Sequence, residues 1–199
     1  MAVDIPPAHR AARLCGATVL WNLVIGSAAV ATAAITGSLS LIGFGVNAVV
    51  DSSVSSLLVW RFGVAHVSGH AERLEHVALR LAGVAFTVIA LYLFVQGTRS
   101  LVTSKHADTS LFGIVEAVAA LAVLPYLAVA KYRLSQQLRS RTLRADSLLT
   151  ASGIALAAVA LIGLLLQRTT GSQSADPIAA LIIAAVLSWQ GFRALRESS

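Results

Sequence analysis

Ser38-Leu39-Ser40-Leu41-Ile42-Gly43-Phe44-Gly45-Val46-Asn47-Ala48-Val49-Val50-Asp51-Ser52-Ser53-Val54-Ser55-Ser56-Leu57-Leu58-Val59-Trp60-Arg61 is an apolar run of bilayer length with one carboxylate near its middle. A helix rises about 1.5 Å per residue, so about 20 mostly apolar residues cross the hydrocarbon of a membrane. Asp51 stands ten residues before Arg61, which places it about 15 Å from the nearer membrane edge, close to the midplane. A carboxylate at that depth is costly, and it more often marks an ion path than a structural accident.

Five further segments of similar character flank this one, and together they place helices at about 14–36, 39–60, 77–96, 111–129, 145–166 and 177–192. The expected fold is all-α, a six-helix integral membrane bundle. Composition agrees: 57% of the 199 residues are hydrophobic and 12% charged, with a mean hydropathy of +0.79, whereas a soluble domain carries about a quarter charged residues. The first segment follows Pro6-Pro7 and is too long and too far inside the chain for a signal peptide. The six segments use up the length, so the reading is one transmembrane domain over residues 1–199, with no nucleotide-binding cassette and no C-terminal cytoplasmic domain. Cys15 is the one cysteine, without a partner for a disulfide or thiolate site. No nucleophile–base pair or cofactor motif is present, so an enzyme is not expected.

The basic residues are lopsided. Arg10, Arg13, Arg61, Arg73, Arg80, Lys131, Arg133, Arg139, Arg141, Arg144, Arg193 and Arg196 fall on one side, and Arg99, Lys105 and Arg168 on the other. The positive-inside rule then puts both termini in the cytoplasm, with the plasma or inner membrane as the expected location. Basic loops against an anionic leaflet account for the formal charge of +6, and no nucleic acid is needed to explain it.

Polar side chains inside the segments are the candidate site. Asn47 lies one turn from Asp51 on the same face, giving two oxygen-bearing groups aimed at one point, as a divalent cation requires; hydrogen bonding to neighbouring helices is the alternative role for both. Glu116 is six residues into the fourth segment, about 9 Å deep and close to the depth of Asn47, where it would supply the carboxylate that Asn47 lacks. A watery outer vestibule is its alternative. Asp146 opens the fifth segment, where the helix dipole alone would favour it, and Thr150 continues that helix toward the level of Asp51. Asp176 before Pro177 reads as a helix N-cap, and Asn22 as packing glue in the first helix. Pro125 should kink the fourth helix. Gly26, Ala29, Ala33 and Gly37 are small residues that let helix backbones approach. On the loop after the second segment, His66 and His70 are four residues apart with carboxylates nearby and are candidate ligands for a borderline metal.

The second segment resembles the second helix of the cation diffusion facilitators, the cation efflux family, whose pattern there is an acidic pair four residues apart. Further matches follow in order: Trp21-Asn22 with Gly26, Arg73-Leu74-Glu75, Pro125 with Lys131, Arg144-Ala145-Asp146, and Ala175-Asp176-Pro177. The resemblance implies a dimeric six-helix exporter exchanging Zn2+ or a similar divalent cation for protons, with no cofactor beyond that ion. It puts Asn47 and Asp51 at the paired metal positions, and His66 and His70 at the loop histidines that bind a second zinc in some members. With Arg144-Ala145-Asp146 as anchor, the fifth-helix metal positions fall on Leu149 and Gly153, which have no ligating side chain, and Ile25 replaces a glutamate frequent in close relatives. Loss of the fifth-helix histidine would shift preference from Zn2+ toward harder ions such as Mn2+. A transport-inactive membrane partner that keeps the fold is the other function these departures suggest.

Overall fold

Hydrocarbon offers no hydrogen-bond partner to a peptide group, so each apolar segment satisfies its backbone internally as a helix. The structure, a computed structural model, describes residues 7–63, 70–103, 108 and 110–197, with backbone alone at 7–8, 61–63, 70–79, 141–142 and 197. Its elements are α1 (Pro7–Thr36), α2 (Leu39–Gly63), α3 (His70–Thr103), α4 (Leu111–Leu138), α5 (Arg141–Thr170) and α6 (Ala175–Glu197). All six are long and apolar enough to cross a membrane. Several outrun the apolar segments: α3 continues to Thr103, α4 to Leu138, and α5 starts at Arg141. Once a helix is nucleated each added residue brings its own hydrogen bond, so the polar flanks continue it past the hydrocarbon. Pro125 lies inside an α4 that remains one helix.

The most extensive pairings are α1 with α2, α3 with α6, and α4 with α5; α2 also packs on α3, α5 and α6. Small residues make the first pairing close. A Cβ added to Gly26 would lie 2.9 Å from the Gly45 carbonyl oxygen and 3.0 Å from the Ala48 Cβ. Gly83 and Gly191 serve α3 and α6 in the same way, since a Cβ on Gly191 would come within 3.0 Å of the Gly83 carbonyl oxygen. Phe44, Phe86, Leu93, Leu156, Ile183 and Leu187 fill the interior. Outside, large apolar side chains such as Leu81, Val88, Leu91 and Phe94 on α3 are exposed, a contiguous apolar surface that belongs against lipid.

Two turns fix the ends of α2 and α5. Gly37 takes the left-handed conformation (φ 74°) and donates its N–H to the Ala33 carbonyl at 2.8 Å, ending α1 with a tight reversal. The start of α2 is then held by Asp176 of α6, whose carboxylate accepts from the Leu39 N–H at 2.8 Å, the Ser38 hydroxyl at 2.7 Å, and both the N–H and hydroxyl of Ser40. Asp176 is therefore a structural cap, though of α2 rather than of its own helix. Ser140 caps α5, accepting from the Leu143 N–H at 3.3 Å.

Candidate intramembrane cation site

The polar groups meet where α1, α2, α4 and α5 face one another. Asp51 (α2) is 3% exposed, Asn22 (α1) 2%, Thr150 (α5) 1%, and Asp146 (α5), Lys131 (α4) and Ser55 (α2) 0%. Asn22 Nδ2 donates to Asp51 Oδ2 at 2.6 Å, and Thr150 Oγ1 lies 3.2 Å from the same oxygen. Asp51 Oδ1 is buried with no hydrogen-bond partner. A carboxylate oxygen left unpaired in a low-dielectric interior strongly favours any cation that reaches it.

One turn away along α5, and one turn away along α2, the second half of the cluster forms. Asp146 Oδ2 and Lys131 Nζ make an ion pair at 2.6 Å. Ser55 Oγ donates to Asp146 Oδ1 at 2.7 Å, and Lys131 Nζ donates to Ser55 Oγ and Thr150 Oγ1, each at 3.1 Å. Cys15 Sγ is 3.9 Å from Asp146 Oδ2 and remains a free thiol. Thr150 stands between the two carboxylates, because the i, i+4 spacing stacks it on Asp146 while its hydroxyl faces Asp51.

Of the other sequence candidates, Glu116 is engaged elsewhere, Asn47 lies one turn along α2 from Asp51, and the loop histidines fall outside the description. Glu116 Oε1 accepts from Thr32 Oγ1 of α1 at 3.0 Å, and Oε2 is buried without a partner. Its contact is thus with α1, and α4 packs chiefly on α5 and α1. Depth along a helix fixes no direction around it, which is why equal depth with Asn47 did not reveal Thr32. Asn47 is 3% exposed, and a Cβ added to Gly153 would lie 3.4 Å from its Nδ2. Leu149 packs against the apolar core and borders a cavity of about 210 Å3 between α2, α3, α5 and α6, whose wall also carries Gln190, Arg144 and Arg193. His66 lies outside the described residues, as does the side chain of His70, the first residue of α3. Among the described residues no three His, Cys, Asp or Glu side chains are gathered to hold a metal ion. The side chains that hydrogen-bond to Asp51 are those of Asn22 and Thr150.

The profile of the cation efflux transmembrane domain matches residues 17–199. The chain belongs to the cation efflux family. Among its curated relatives, an uncharacterized transporter of Synechocystis is 29% identical over 172 residues, 83% of this chain and 55% of the relative. The cation-efflux pump FieF of Cronobacter sakazakii is 32% identical over 168 residues, 81% of this chain and 54% of the relative. The chain spans about half the length of these two proteins.

In this cation efflux protein the residue that sequence reasoning misplaced is Lys131. It counts toward the basic side of the charge asymmetry by position, yet its side chain is fully buried in the site. Eleven basic residues then oppose three. The sequence carried no signal for this: only the observed continuation of α4 for seven residues, up to Leu138, puts Lys131 about 10 Å inside the helix end rather than at it.

Proposed function

We propose that this protein is a secondary transporter that exports divalent metal cations, with Asp51 as principal ligand. The observation that carries this reading is the buried, unpartnered Oδ1 of Asp51 within a transmembrane helix of a cation efflux protein. Thr150 and Asn22 already face the other oxygen of that carboxylate, and Asn47 is one turn along the same helix. Side-chain oxygens without thiolate or imidazole favour harder ions, Mn2+ among them, over Zn2+. Protons compete for the same carboxylate, because metal binding requires its ionised form, so exchange for protons is the natural coupling. Rocking of one helix group against another about the midplane would expose Asp51 to each side in turn. We place the protein in the plasma or inner membrane with both termini in the cytoplasm, from the charge asymmetry, and read it as a homodimer from the family resemblance.

The test is ion flux. Proteoliposomes containing the protein should take up Mn2+ or Zn2+ when a proton gradient is imposed. Asp51→Asn keeps the shape and the hydrogen bond from Asn22, so it should fold normally and reduce flux to the level of empty liposomes. Flux unchanged in Asp51→Asn removes this reading.

A second reading has its own support. Leu149 and Gly153 at the fifth-helix metal positions, together with an ion pair already formed by Asp146, fit a membrane partner that keeps the fold without transport. Wild-type protein that moves neither ion, while co-purifying with an active relative, would favour it.

A further inference from the structure

Lys131 is held in a way that a lysine near a helix end is not. Its long stem would let the ammonium snorkel to water, yet the side chain is 0% exposed and turned inward. Three oxygens surround Nζ: Asp146 Oδ2 at 2.6 Å, Ser55 Oγ at 3.1 Å and Thr150 Oγ1 at 3.1 Å. They come from α2 and α5, while the charge comes from α4. A carboxylate and two hydroxyls converging on one positive centre are the donor set of a hard cation. Ser55 directs its proton to Asp146 Oδ1 at 2.7 Å, which leaves its lone pairs for Nζ. The cage is continuous with Asp51, because Thr150 Oγ1 is also 3.2 Å from Asp51 Oδ2.

We propose that Lys131 is a tethered cation filling the second cation position of the intramembrane site, so that Asp146 is withheld from the incoming ion and Asp51 is its only ionised ligand. The inference rests on reading the Asp51 site as a divalent-cation site. An ion that engaged Asp146 as well would have to share the Thr150 oxygen with an ammonium, and like charges that close repel strongly in a low-dielectric interior. Lys131 is thus a positioning residue that sets how many carboxylates the ion meets. One carboxylate rather than two means weaker binding, and a carrier needs an ion it can release.

The experiment compares Co2+ binding to the 199-residue chain in detergent micelles by isothermal titration, with thermal unfolding followed in chelator and in Co2+. Lys131→Met and Lys131→Gln free the cage, and both should bind Co2+ about tenfold or more tightly than wild type, since affinity rises with the number of ligand charges. Their unfolding temperature should rise with Co2+ concentration, as for any ligand of the native state. Lys131→Met with Asp146→Asn should fold without Co2+ and lose the gain. A purely structural ion pair predicts no gain in affinity. Single variants with wild-type affinity, a gain that survives Asp146→Asn, or single variants that stay unfolded in Co2+ while the double variant folds would each overturn the proposal. The transport reading is judged separately, by flux through wild type and Asp51→Asn, and a gain cancelled by Asp146→Asn is readable whether or not the wild type transports.

Discussion

At the scale of single residues, the chain places three charged groups in a small dehydrated volume, two negative and one positive. Asp146 and Lys131 neutralise each other, and Asp51 is left with neutral donors on one oxygen and nothing on the other. The two carboxylates therefore differ in what their loss should do. Asp146→Asn strands a buried ammonium and should destabilise the fold by about 3–5 kcal/mol, whereas a variant that removes both charges should recover most of that. Thermal unfolding in detergent checks this, and equal stability of Asp146→Asn and wild type would show that the ion pair contributes nothing. Asp51 was legible in the sequence because a lone acid in an apolar run is too costly to keep without a role. Lys131 was not, because a lysine after an apolar run reads as a membrane flank until the rest of α4 is known to continue beyond it. Thr150 was legible through its helical spacing from Asp146. Asn22 read as packing glue, and it does join α1 to α2, but the sequence alone did not show that its partner is Asp51.

At the scale of elements, the six helices were readable because hydrocarbon demands long apolar runs, and their ends were not, because polar flanks continue a helix without an apolar signature. The close pairing of α1 with α2 followed from small residues at helical spacing, and Gly26 against the Gly45 carbonyl shows how near the backbones come. Capping was only half legible. Asp176 before Pro177 carries an N-cap signature, yet the carboxylate serves the donors of Ser38, Leu39 and Ser40 at the start of α2. Sequence adjacency favoured its own helix, and tertiary packing of α6 beside the α1–α2 turn decided otherwise. Asp176→Ala should thus act on α2: several buried or half-buried donors lose their acceptor, at about 1–3 kcal/mol each for those that find no water. Hydrogen exchange should show faster opening at residues 38–42 than at the start of α6. Faster exchange confined to α6 would contradict the assignment.

At the scale of the whole molecule, α1, α2, α4 and α5 enclose the polar cluster while α3 and α6 pair beside it, so the site's chemistry is decided by what each of four helices sends inward. α5 sends Asp146 and Thr150 toward the cluster, but Leu149 and Gly153 at the positions where the family resemblance implies metal ligands. The structure gives these two positions unequal prospects. Gly153 already faces Asn47, and a Cβ there would meet Asn47 Nδ2 at 3.4 Å and Leu124 Cδ1 at 3.5 Å, both ordinary contacts with side chains, so the first atom of a side chain fits beside Asn47 without displacing backbone. Leu149 packs against the core and borders the cavity, which leaves room for an imidazole to change rotamer. Leu149→His with Gly153→Asp should therefore fold and add an imidazole and a carboxylate, the donors that suit tetrahedral Zn2+. Zn2+ flux measured against Mn2+ flux in proteoliposomes should rise by about tenfold or more, one ligand's worth of discrimination. A double variant that folds yet leaves the ratio unchanged would mean that α5 does not present these positions to the ion. Zn2+ flux appearing where the wild type moves no ion at all would instead identify Leu149 and Gly153 as the residues that keep this member of the cation efflux family from transporting, and would favour the membrane-partner reading.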